Sequence, residues 1–303
     1  MKMAMRPIKH IDVVKGMKVS ELVEQMKEAG FGARKIGEAG EILREMIKDK
    51  DCKKFFGVAG AMVPGGMRNI IIEMLKNNYV DVFVTTGANL THDLIEALGE
   101  KHYQGTENID DRELNEQGID RIYNVFMKNR VYEKLEDFFE KNWLEISKTS
   151  NIKEFLWKLG SLVGEDSILG ICYKKKIPLF CPAIADSGIG LMVWGRKVQG
   201  KQINIDAFED MKEIIDIAWT AKKRGVVYIG GGVPKNFIQQ SLQFSKGADY
   251  GIQITTDRAE SGGSSGAPLR EGISWGKMKK EGKYVNVFCD AVIALPLIYA
   301  FVK

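Results

Sequence analysis

Apolar positions recur along this chain at two spacings, and the switches between them predict its elements. Residues 18–50 (KVSELVEQMKEAGFGARKIGEAGEILREMIKDK) carry them at helical spacing, interrupted by glycines on either side of Phe31, which predicts two helices. Residues 54–60 (KFFGVAG) form a short apolar run ending in small residues and read as a buried strand. Residues 67–76 read as a helix with Ile70, Ile71, Met74 and Leu75 on one face, and residues 80–86 as a strand that runs into a helix over GANLTHDLIEALG. The stretch 112–158 reads as more helical, through the runs ELNEQGIDRIYNVFMKN and VYEKLEDFFEKNWLEISK, whose charges suit solvated faces. Further strands are expected at 177–182, 226–229, 250–255 and 284–289, with a helix at 204–222. Short apolar strands separated by helices predict an α/β chain, a Rossmann-like doubly wound and mainly parallel sheet with helices on both faces. The expectation is one domain over 1–303, with an amino-terminal helical segment at about 1–50.

Composition narrows the class. Hydrophobic residues make up 45% and charged residues 28%, an ordinary globular balance. Lys plus Arg number 44 against 40 Asp plus Glu, and a net charge of +4 is too small to argue for nucleic acid. The longest uncharged apolar stretch, 291–302, is too short to span a bilayer, and the amino terminus has no apolar core of a secretory signal. A cytoplasmic protein is expected. Cys52, Cys172, Cys181 and Cys289 show no CxxC spacing and read as free thiols; with only His10, His92 and His102, no metal centre or histidine-based triad is expected.

In a doubly wound sheet ligands bind beyond the carboxyl ends of strands, so the segments that follow the strands carry the candidate chemistry. VVYIGGGVPKNF places glycines after a strand, suited to a phosphate or simply to a tight turn. VTTGANLTHD is a nucleotide loop or a helix capped by Thr91 or Asn89. FCPAIADSGIG puts Asp186 in a turn, where a carboxylate accepts ribose hydroxyls or merely shapes the turn. SGGSSGAPLREGISWGKMKK is the most unusual stretch. Glu271, Trp275 and Lys277 fall within seven positions, an aromatic face and a carboxylate suited to an amine, and a lysine held against an indole is a candidate nucleophile for imine formation. On frequency alone, a surface lysine after a packed tryptophan is the commoner arrangement. Asp290 ends a strand before an apolar segment, as a helix cap or a cofactor ligand.

The combination is more specific than its parts. GGGVPKNF, GADYGIQI, SGAPLREGISWGK and VNVFCDAVIALPL, preceded by GFGARKIGEAGEIL, VDVFVTTGANLTHDLIEALG, GIDRIYNVFMKN and FCPAIADSGIG, resemble deoxyhypusine synthase over nearly the whole chain. The compact length and the TGANLTHD form resemble archaeal members. The resemblance implies a deoxyhypusine synthase-like fold and NAD as cofactor. It implies oxidation of spermidine by hydride transfer and passage of the aminobutyl group to an enzyme lysine as an imine, with release of 1,3-diaminopropane. Transfer to one lysine of the translation initiation factor 5A precursor and reduction of the product imine by the NADH complete the reaction. A homotetramer with sites built across a dimer interface is implied as well.

By position, the resemblance makes Lys277 the imine-forming lysine and Trp275 and Glu271 amine contacts, with Gly262, Ser264 and Asn236 on the same amine side. It places Asp186 at the NAD ribose, Asp290 with Ala291 on the adenosine side, and Gly231, Thr256 and Asp257 among the later NAD contacts; Thr86, Gly87 and Ala88 form the early one. The stretch 60–64, GAMVP, stands where the family has a serine-containing cofactor loop, which leaves backbone contacts only. Three positions depart from the eukaryotic pattern: Asn236 replaces a histidine, and Leu191 and Ser264 replace acidic residues. All three fall on the polyamine side. They keep two alternatives open: the same chemistry with another amine (homospermidine synthesis, or agmatine as donor), and a non-catalytic NAD-binding paralogue that regulates an active one.

Overall fold

The computed structural model describes residues 5–303; the first four residues of the amino-terminal stretch lie outside it. Helices α1 (Val19–Met26) and α2 (Phe31–Lys48) precede β1 (Cys52–Val58). Helix α3 (Arg68–Lys76) leads to β2 (Val82–Thr85), and α4 (Gly87–Ala97) leads to β3 (His102–Gln104). A short α5 (Asp111–Glu116) is followed by β4 (Ile119–Ile122) and β5 (Val125–Lys128). Three helices, α6 (Val131–Ile146), α7 (Ile152–Ser161) and α8 (Ile168–Lys175), come before the two-residue β6 (Leu179–Phe180). The remainder runs α9 (Gly188–Val198), α10 (Ala207–Thr220), β7 (Lys223–Ile229), α11 (Gly232–Gln243), β8 (Ala248–Thr255), β9 (Met278–Phe288) and α12 (Ala291–Val302).

Six strands form one parallel sheet in the order β6-β2-β1-β7-β8-β9. Its inner strands are buried on both faces, which is why they read as continuous apolar runs, whereas the edge strand β9 is partly exposed. The pleat divides them. Phe56, Val58, Val227, Ile229, Ile252 and Ile254 enter one cluster with α2, α3, α4, α8 and α12. Phe55, Val226 and Tyr228 enter the other with Ile214, Ala218, Ile238 and Leu242 of α10 and α11. The doubly wound α/β reading is therefore the observed architecture. The apolar segment 291–302 is a core helix: Leu295, Ile298 and Phe301 are buried, and the Arg44 guanidinium lies 3.8 Å from the Phe301 ring centroid. Among the described residues no helix is long and apolar enough to cross a membrane.

One expected element is corrected. ELNEQGIDRIYNVFMKN is not a long helix but α5 followed by a hairpin, in which Ile122 pairs with Val125 and β3 joins β5 on the other side. Gly118 (φ 65°) stops the helix, and Tyr123 (φ 54°) turns the chain between strands that alternate side chains across a small antiparallel sheet. Helical spacing and strand alternation overlap in so short a segment, and pairing with β3, remote in sequence, decides between them.

Candidate active site

The chain builds β1 and β2 toward one edge of the sheet and β7, β8 and β9 toward the other, so strand order reverses between β1 and β7. In open α/β sheets that reversal opens a crevice at the carboxyl ends of the strands. Here it is a cavity of about 280 Å³ lined by Gly60, Gly230, Thr256, Asp257, Asp290 and Ala291, with Met62 beside them. Asp290 borders this crevice and also a wider groove of about 720 Å³ that passes Pro64, Gly65 and Gly66. The 60–66 segment is held from α4: the buried Asn89 side-chain oxygen accepts the Met62 N–H at 3.0 Å.

Thr86, Gly87 and Ala88 sit at the end of β2 and the start of α4. The cap of α4 is Thr86, whose hydroxyl accepts the Asn89 N–H, and not Thr91 or Asn89 as expected. Thr91 instead takes the Ile189 N–H at 3.1 Å, and Asn89 is committed to Met62, so both side chains serve tertiary contacts. A Cβ on Gly87 would stand 2.4 Å from the Ser187 Cβ, so only glycine lets α4 approach the turn that carries Asp186. The structure thus brings Thr86–Ala88 and exposed Asp186 together on the same rim of the sheet. Asp290 caps α12, accepting the Val292 N–H at 2.8 Å, and remains exposed on the rim.

The amine-side residues lie elsewhere on the chain. The Lys277 carbonyl accepts the N–H of Ala248, the first residue of β8, whereas Thr256 and Asp257 follow its last. Strand rise puts roughly 25 Å between those backbone levels, while the Glu271 and Lys277 charges still act on Lys235 beneath the 261–267 loop. The Lys277 ammonium is 4.9 Å from the Trp275 ring centroid, the arrangement its sequence spacing suggests. Trp275 is 58% exposed, and Glu271 and Asn236 also face solvent.

The 261–267 loop joins the two regions, packed on the glycine turn after β7. A Cβ on Gly231 would stand 2.3 Å from the Ser265 Cα, and the Ser265 hydroxyl accepts the Gly232 N–H at 2.9 Å. Gly262 is exposed at the loop's outer end; Ser264 is half-buried and aims its hydroxyl at the Gly232 carbonyl, 3.4 Å away. Sequence reasoning missed what lies beneath. Lys235 of α11 is 1% exposed and donates to Gln253 Oε1 at 3.0 Å and to the Ser264 and Ala267 carbonyls at 2.6 Å each. Burial pushes its amine down to about 8; the nearby charge of Lys277 acts the same way, and that of Glu271 opposes it. The available signal was its helical spacing from Ile238, Gln239 and Leu242, which puts Lys235 on the inward face of α11.

A second unpredicted network flanks α4. His102 Nδ1 lies 2.8 Å from Glu96 and its Nε2 2.9 Å from His92 Nδ1. Burial, and then the His102 charge, push His92 down to about 4. Three cysteines are buried and Cys289 is half-buried, all as free thiols.

A parallel, doubly wound sheet with a carboxylate-rimmed crevice at its reversal point defines an α/β protein of the doubly wound class. Comparison with known proteins specifies it: the deoxyhypusine synthase family profile matches residues 21–302, and the chain belongs to that family of transferases. It is 43% identical over 300 residues to probable deoxyhypusine synthase 1 of Methanosarcina mazei, covering 98% of this chain and 94% of that one. With the Archaeoglobus fulgidus protein of the same name the identity is 42% over 291 residues, covering 96% and 95%. A solved structure described as a deoxyhypusine synthase from Entamoeba histolytica superposes with a TM-score of 0.69 at 20% identity, over 96% of this chain and 95% of that one.

Proposed function

We propose that this chain transfers the aminobutyl group of spermidine to one lysine of the translation initiation factor 5A precursor, through an imine on Lys277, with NAD as cofactor. The observation that carries the reading is the Lys277 ammonium against the Trp275 ring, at the end of an SGAPLREGISWGK segment, in a chain of this family. A bound NAD would supply the hydride acceptor for oxidising the donor amine and the hydride source for reducing the product imine. The residues present suit a dinucleotide: Asp257 and Asp290 offer carboxylate acceptors for ribose hydroxyls on a crevice that continues into a larger groove. Asp186 and the Thr86–Ala88 turn extend the same rim.

On the amine side, Trp275 supplies a π face and Glu271 a negative charge for a polycation. Lys277, as the free amine, displaces diaminopropane from the oxidised donor: its nitrogen forms the new C=N bond, its two protons pass to the departing nitrogen, and the original carbon–nitrogen bond breaks. The acceptor lysine then displaces Lys277 in the same way. A homotetramer with each site assembled across a dimer interface belongs to the same reading. Leu191, Trp194 and Val198, exposed along one face of α9 near the rim, suit such an assembly.

The donor has a second reading. Leu191 is exposed and apolar and Ser264 is neutral, so two carboxylates of the eukaryotic pattern are absent from the polyamine side. That favours testing putrescine as acceptor and agmatine as donor. The experiment incubates the protein and NAD with spermidine, putrescine or agmatine, with and without the factor 5A precursor. An aminobutyl mass shift with release of diaminopropane supports the reading. Product from another amine alone changes the substrate. No product from any donor, with NAD still bound, leaves a non-catalytic paralogue.

A further inference from the structure

We propose that Lys235 is a positioning residue: its buried ammonium is the clasp that holds the 261–267 loop closed on the glycine turn beside the amine end of the site. The proposal rests on the transferase reading above and identifies what shapes that site. Its starting point is that Lys235 breaks local rules. It sits in the opening turns of α11, at the positive end of the helix dipole, where a cation is disfavoured. It is buried without a carboxylate as hydrogen-bond partner, and a packed apolar side chain would cost less.

What the cation gains is loop order. All three ammonium protons have acceptors, and two of these are backbone carbonyls of one loop. That loop reads Ser-Gly-Gly-Ser-Ser-Gly-Ala, a composition with high backbone entropy, and Ser261, Gly262 and Gly263 are exposed. Gln253 forms the platform. Its amide donates to the Ser265 carbonyl at 2.8 Å and to the Gly230 carbonyl at 3.3 Å. Asn286 extends it, donating to Gln253 at 3.1 Å and accepting the Leu269 N–H at 3.2 Å. Lys235, Gln253 and Asn286 thereby fix the loop at Ser264, Ser265, Ala267 and Leu269. The same segment continues through Glu271 to Trp275 and Lys277, so releasing it moves the residues that grip the amine.

The test compares wild type with Lys235→Met and Lys235→Arg. It measures hydrogen exchange of the 261–267 amides, NAD affinity, amine KM and kcat, and borohydride trapping of the donor on Lys277. Lys235→Met loses bonds to a charged donor, so loop exchange should quicken roughly tenfold to hundredfold. The amine KM should rise and trapping should fall, each by more than NAD affinity weakens at the neighbouring Gly230–Gly231 turn. Lys235→Arg keeps the cation but cannot place three donors on the same acceptors, so an intermediate loop exchange rate and partial recovery of trapping are expected. If the methionine variant fails to fold, the arginine variant carries the comparison alone. Unchanged loop exchange in a folded variant overturns the clasp, as does a fall in NAD affinity equal to the fall in trapping. Loop exchange needs no turnover, so a wild type that forms no adduct on Lys277 defeats the transferase reading on separate evidence.

Discussion

The Asp290 carboxylate accepts the backbone N–H of Val292 at 2.8 Å while the same residue borders the crevice at the strand-order reversal. One side chain therefore caps a core helix and offers a charge to a cofactor, and two substitutions separate these roles. Asp290→Ala should cost about 0.5–2 kcal/mol in unfolding free energy through the lost cap. Asp290→Asn retains a good capping group, so its melting temperature should stay near wild type. If the carboxylate binds NAD, both variants should bind it roughly tenfold to hundredfold more weakly. Calorimetric NAD titration and thermal denaturation check the pair, and wild-type NAD affinity in the asparagine variant would remove Asp290 from the adenosine-side contacts.

Lys277 and Trp275 should separate chemistry from binding. Lys277→Ala should abolish product and borohydride-trapped adduct with NAD binding intact, as read by mass spectrometry. Trp275→Ala should retain the nucleophile and lose the π face, worth about 0.5–2 kcal/mol to a cation, and so raise the amine KM severalfold. Product from Lys277→Ala would remove the imine assignment.

Gly231→Ala tests the close approach of the glycine turn and the loop. The added Cβ meets backbone at 2.3 Å, and backbone on both sides leaves little room to give. The variant should expose the 261–267 loop to protease and weaken donor trapping by at least about tenfold. A structure of the variant with the loop unmoved would contradict this.

His92 makes a prediction about acid stability. Its folded value, about 4, lies below its ordinary 6.5, so the unfolded chain takes up the proton first. The contribution of neutral His92 is present above pH 6.5 and is lost as pH falls toward 4. His92→Asn should remove that slope, so the unfolding free energies of variant and wild type should converge or cross by about 1–3 kcal/mol between those limits. Parallel curves from denaturant titrations across this range would show that His92 is not the group responsible.

The alternation of apolar strands with amphipathic helices determined the parallel sheet, because burial on both faces leaves a local mark on its inner strands. The candidate site segments stand out in the sequence for a related reason: the turn after β7 needs glycine, and the Trp275–Lys277 pair is close in sequence as well as in space. Contacts between remote segments decided the rest. The hairpin after α5 depends on pairing with β3, and the capping role fell to Thr86 because the helix begins at Gly87, which leaves Asn89 and Thr91 inside it to hold Met62 and Ile189. Lys235 reads in sequence as one more surface lysine. It becomes a buried clasp only because a loop some thirty residues later supplies the carbonyls that make its burial affordable. Local sequence carries periodicity and backbone preference, whereas desolvation and hydrogen-bond satisfaction belong to groups that only the folded chain brings together.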